Sequence, residues 1–100
     1  MIFVSTGQIK NKTIFSIVKY YLQGGIKNIE MSGGKYDPDI INRLISLKKN
    51  NNFMLHNYFP PPKNPFTLNL ATFNKTLYKL GKNHVINAIR QSANIGSKYY

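Results

Sequence analysis

"KNIEMSGGKYDPDIINRLISLKKNNNFMLH" (residues 27–56) changes its hydrophobic period twice. "IKNIEMSGG" alternates Ile29, Glu30 and Met31, the period of a strand, and runs into a glycine turn. "YDPDIINRLISLKKN" then opens with helix-start chemistry. Asp37 suits the cap, Pro38 the first helical position, and Asp39 complements the helix dipole. Ile40, Ile41, Leu44 and Ile45 form the expected buried stripe, and Lys48, Lys49 and the asparagine run end it. "FMLHNYF" (53–59) returns to strand composition. A strand, a helix and a strand in that order predict parallel neighbours joined by a right-handed crossover.

The same alternation extends both ways. "IFVS" (2–5) is a short apolar run of strand type, and "NKTIFSIVKYYLQGG" places Ile14, Ile17, Val18, Tyr21 and Leu22 at helical spacing before Gly24 and Gly25. Downstream, "FNKTLYKLGKNHVINAIRQSANIG" predicts a long helix. Leu77, Gly81, Val85, Ala88, Ser92 and Ile95 line one face, and Gly96 is its stop. "SKYY" is expected to begin a fourth strand. The chain thus reads as α/β, in the order βαβαβα plus the start of another strand. Parallel strands are normally covered on both faces, and three and a half of them make neither a closed barrel nor a full open sheet. The expectation is a single partial domain over 1–100, the N-terminal portion of a larger (β/α)8 barrel with about three βα units.

Composition narrows the classes. A 100-residue chain buries only roughly 60–65% of its unfolded surface, so its core is thin. With no cysteine, there is neither a disulfide scaffold nor a thiolate site. The first residues carry no basic n-region, and no apolar run approaches the length of a membrane span. A cytoplasmic location without membrane partners is expected. Net charge is +11, from 14 basic and 3 acidic residues, a field that attracts phosphates and nucleic acid. All the basic residues except Arg43 and Arg90 are lysines, in a chain also rich in Asn and Ile. That composition favours codon bias over a dedicated polyanion surface, which usually uses arginine forks.

In repeated βα folds the chemistry gathers at the C-terminal ends of the strands. Three clusters fall there: Ser5–Thr6–Gly7–Gln8, Glu30 with Ser32–Gly33–Gly34, and His56–Asn57–Tyr58. Glu30 is the only glutamate and lies on an otherwise apolar strand. It is either a carboxylate for substrate hydroxyls or the partner of a lysine such as Lys27 or Lys10. Ser32, Gly33 and Gly34 either present amides to a phosphate as a nest or form a turn that merely needs glycine, and so short a glycine pair favours the turn. His56 is the candidate metal ligand, since imidazole at a rigid strand end suits a divalent cation. His84, beside Val85 in the middle of a helix, reads as a packing residue. No Ser/His/Asp arrangement, P-loop or zinc-ribbon spacing is present.

"LHNYFPPPKNPFTLNLAT" (55–72) and "AIRQSANIGSKYY" (88–100) together resemble the third βα unit of the xylose-isomerase-like TIM-barrel superfamily. That superfamily holds sugar and sugar-phosphate isomerases and epimerases and the endonuclease IV-type apurinic endonucleases. Its pattern of a strand ending in His, an "NLA(S/T)" segment, a helix and "LG(A/S)" is matched by His56, Asn69–Thr72 and Ile95–Ser97. "IEMSGG" is similar to the "VELSGG" of the isomerase and epimerase members. The resemblance implies a barrel mouth with a divalent metal ion (Mn, Zn, Mg or Co), a sugar or sugar-phosphate substrate, and proton abstraction through an enediolate. It makes His56 a metal ligand or its neighbour. Glu30, Ser32, Gly33, Asn57 and Tyr58 become substrate-binding candidates, and the catalytic carboxylates are expected beyond residue 100. Pro60, Pro61 and Pro62 favour the isomerase branch over the nuclease, and stiffen a loop that Phe66 and Leu68 are expected to pin to the barrel. The alternatives are a metal-dependent apurinic endonuclease, with nucleic acid as partner, and an inactive truncated or basic binding fragment.

Overall fold

The computed structural model describes residues 1–100, the side chain of Gln8 excepted. Three strands, β1 (Val4–Ser5), β2 (Asn28–Met31) and β3 (Asn52–Leu55), form one sheet in the order β1-β2-β3, both pairs parallel. Between and after them run α1 (Ile14–Gln23), α2 (Ile40–Ser46) and α3 (Lys75–Asn94). The α/β class and the parallel sheet agree with the sequence.

The register fixes the two faces. Val4 pairs with Ile29 and Ile29 with Phe53, while Met31 pairs with Leu55. These side chains point to the helices, and Ile29, Met31, Phe53 and Leu55 are buried. They meet Ile14, Ile17, Val18 and Tyr21 of α1, Ile40 and Leu44 of α2, and Ile95 just after α3. Each such side chain removed from water contributes about 1.5–3 kcal/mol. The alternate row, Ser5, Glu30 and Met54, stands on the other face, where Glu30 and Met54 are half-buried. One step earlier on that face the Asn52 Nδ2 donates to Asn28 Oδ1 at 2.8 Å. Among the described residues, none of this alternate row belongs to the core cluster that the helices form with the first face.

The helix ends follow local chemistry. Thr13 Oγ1 caps α1 by accepting from the Ser16 amide. Gly25 (φ +83°) closes it, with Ile26 N–H reaching Tyr21 O at 3.0 Å and Gly25 N–H reaching Leu22 O, a Schellman ending. α3 ends the same way at Gly96 (φ +62°), with Ser97 N–H on Ser92 O and Gly96 N–H on Ala93 O. Asn74 Oδ1 caps its start, accepting from the amides of Thr76 and Leu77.

Four expectations need correction. α2 begins two residues late: Asp39 occupies the cap without a side-chain bond, and Asp37 Oδ1 instead accepts from Asp39 N–H, a local turn that competes with the helix. β3 stops at Leu55 rather than Phe59. Phe59 N–H bonds back to His56 O, a tight turn that drops Phe59 into the core. Leu77 of α3 and Ile45 of α2 are exposed, and the buried positions of α3 are Gly81, Ala88 and Ser92. Finally, the expected start of a fourth strand does not form. Ser97 Oγ donates to Tyr99 O and accepts from Tyr99 N–H, and the Tyr99 ring packs edge-on against Phe3 at 6.1 Å.

Candidate functional site

Glu30 lies in β2 and His56 directly follows β3, so the two stand near the same end of the sheet. Glu30 is the central residue of the Ser5–Glu30–Met54 row. The His56 amide donates to Met31 O at 2.9 Å, which carries the ladder one residue past β3. Alternation from Met54 then puts His56 on the face of Glu30, one strand and one row away. Strand geometry separates their Cα atoms by roughly 8 Å, a span that two hydroxyls of one small polyol can bridge. His56 is exposed and Glu30 half-buried.

Glu30 is not the partner of a lysine. Among the described residues the one ion pair joins Arg43 Nη1 to Asp37 Oδ2 at 3.2 Å, on α2. Among the described residues the Glu30 carboxylate enters no ion pair, and Met54 is its register neighbour in β3.

The other candidates are committed elsewhere to different degrees. Ser32 is held through its main chain. The Thr6 hydroxyl accepts from Ser32 N–H at 2.9 Å and donates to Ser32 O at 3.1 Å. Gly33 (φ +61°) and Gly34 (φ +101°) are required by the backbone of the turn itself. At Gly34 a Cβ would also fall 2.5 Å from Ile14 Cγ1. Asn57 is exposed in the turn after β3. The Tyr58 hydroxyl is used internally, donating to Phe66 O at 2.8 Å and accepting from Phe66 N–H at 3.0 Å. Gln8, which the sequence sets at the same mouth, lies outside the described side chains.

His84 packs, as its place beside Val85 suggests. Its Nε2 hydrogen-bonds Tyr58 O at 2.9 Å, and its ring sits 5.0 Å from Tyr58 and 5.4 Å from Phe66. The proline loop is thus pinned to α3 through His84, while Phe59 anchors its start in the core. Leu68 and Leu70 cross α3 at Gly81, where a Cβ would meet them at 3.2 and 3.3 Å.

A zinc-type cation needs three or more protein donors, whereas Mg can be held by one or two carboxylates with substrate oxygens and water. Among the described residues no three His, Cys, Asp or Glu side chains gather to hold a zinc-type cation, and Glu30 with His56 supplies two. These residues do not by themselves fit a zinc-type centre. No helix is long and apolar enough to cross a membrane.

No protein-family model, curated protein or solved structure matches this chain.

Thr6 is the residue that sequence reasoning undervalued. It was grouped with the mouth, but it is buried and braces the Ser32 turn. Only its threonine identity beside a glycine hinted at that role.

Proposed function

We propose that this chain forms the first strands of a (β/α)8 barrel of the xylose-isomerase-like kind. It would act in the cytoplasm on a sugar or sugar phosphate as an isomerase or epimerase. The supporting observation is the sheet face outside the core cluster, which carries Glu30 and, one row on, His56 at the C-terminal ends of parallel strands. In a barrel this face is the interior, and chemistry sits at that end of it. Glu30 accepts hydrogen bonds from sugar hydroxyls, His56 contacts a neighbouring one, and Met54 lies against the C–H surface between them. The reaction class is proton removal next to a carbonyl through an enediolate. Glu30 and His56 bind and position the substrate, and the group that removes the proton is assigned to neither.

The test is saturation-transfer NMR with a panel of aldoses, ketoses and their phosphates, paired with solvent-deuterium incorporation next to the carbonyl. Saturable binding that Glu30→Gln and His56→Ala each weaken by about tenfold, one charge-assisted hydrogen bond, supports the reading. Binding that both variants leave unchanged contradicts it. The net charge of +11 favours a second reading, an apurinic endonuclease. Incision of an abasic duplex without any sugar binding would put it first.

A further inference from the structure

A second concave site lies outside the open face, where β1 and β2 hand over to their loops beside the start of α1. It is a groove of about 370 Å³, lined by Lys10, Lys12 and Lys35 from two different loops, with Ser32 and Gly33 among the other lining residues. No carboxylate lines it. Of the three acids in the chain, Glu30 stands on the opposite sheet face, Asp37 pairs with Arg43, and Asp39 starts α2. The first turn of α1, which opens onto this groove at Ile14, also carries no acid. Lys12 Nζ rests 5.7 Å from the centre of the exposed Tyr20 ring, which is outside the groove lining, so Lys12 joins the other two lysines only by turning its flexible side chain off that ring.

The groove floor is kept bare by its backbone. A Cβ on Gly7 would lie 3.0 Å from Ser32 Oγ and 3.5 Å from Ser5 Oγ. Ser32 Oγ enters none of the hydrogen bonds among the described residues, because the Thr6 clamp uses only the Ser32 main chain. Three lysines among the lining residues, with no carboxylate among the described ones, raise the positive potential of the concavity, and a free hydroxyl adds a directed donor.

We propose that this groove is a phosphoryl-binding subsite: Lys10, Lys12 and Lys35 neutralise the phosphate of a small phosphate ester, and Ser32 Oγ hydrogen-bonds one of its oxygens. Lysine suits this as a flexible point charge, without the bidentate geometry of arginine. The site stands apart from Glu30 and His56 and does not depend on the sugar reading.

The test titrates the isotope-labelled protein with inorganic phosphate, glucose 6-phosphate and glucose, following amide shifts at low salt. Phosphate and the ester should shift residues 10–14 and 32–35 saturably, and glucose should not. Free glucose reports the open face instead, so the two proposals fail separately. Lys10→Gln/Lys12→Gln/Lys35→Gln should weaken phosphate binding at least about tenfold. The equal-charge control Lys63→Gln/Lys75→Gln/Lys82→Gln should change it no more than about twofold. Thermal melts confirm that both triples fold, and the wild-type shift map stands without them. Equal losses in the two triples, shifts spread over every lysine-bearing surface, or no saturable shift would overturn the proposal.

Discussion

The Thr6 hydroxyl takes both main-chain groups of Ser32, accepting its N–H at 2.9 Å and donating to its C=O at 3.1 Å. A side chain here replaces the next residue of a strand, and extends the β1–β2 pairing into the glycine turn. Thr6→Val keeps the shape and leaves two main-chain groups unpaired. The expected loss is about 1–3 kcal/mol in urea unfolding, whereas Thr6→Ser should recover most of it.

Gly33 and Gly34 should differ when tested alike. Both have positive φ, but only Gly34 also abuts the buried Ile14. Gly33→Ala should cost about 1 kcal/mol, the left-handed penalty alone. Gly34→Ala should cost clearly more, because its Cβ must also displace the Ile14 side chain. Equal midpoints in denaturant would show that the close approach carries no energy.

Tyr58 repeats the Thr6 arrangement across the proline loop, with its hydroxyl on both main-chain groups of Phe66. Tyr58→Phe should lower stability by about 1 kcal/mol. It should also raise the rate at which a protease nicks residues 59–66, while α1 and β2 keep their hydrogen-exchange protection. Uniform loss of protection would mean that the loop is part of the core rather than a strap over α3.

Much of the fold was legible because local chemistry and long-range packing agree. Gly25 and Gly96 mark helix ends in sequence and adopt positive φ in space. Ile29 and Met31 alternate with Glu30 and face the core as that pattern requires. Where local turns win, the sequence misleads. Asp37 looks like a cap but folds onto Asp39, and Phe59 continues the apolar spacing of β3 yet reaches the core through a turn. Ser97 and Tyr99 similarly close on each other instead of extending. At the site, the register of Glu30 between Ser5 and Met54 follows the strand alternation. The use of Tyr58 by Phe66 does not, because nothing in spacing shows where a phenol's hydroxyl will be spent.

The central claim is that one face of the sheet, the face of Glu30, is left open. The native methionines report on it directly. Met1 is exposed, Met31 is fully buried on the helix side, and Met54 stands on the open side. Peptide mapping after mild peroxide treatment of the 100-residue chain measures the three oxidation rates. The account predicts that Met54 oxidises at a rate between those of Met1 and Met31, with Met31 slower than Met54 by about an order of magnitude or more. Protection of Met54 equal to that of Met31 would mean that the face is covered, and would contradict it.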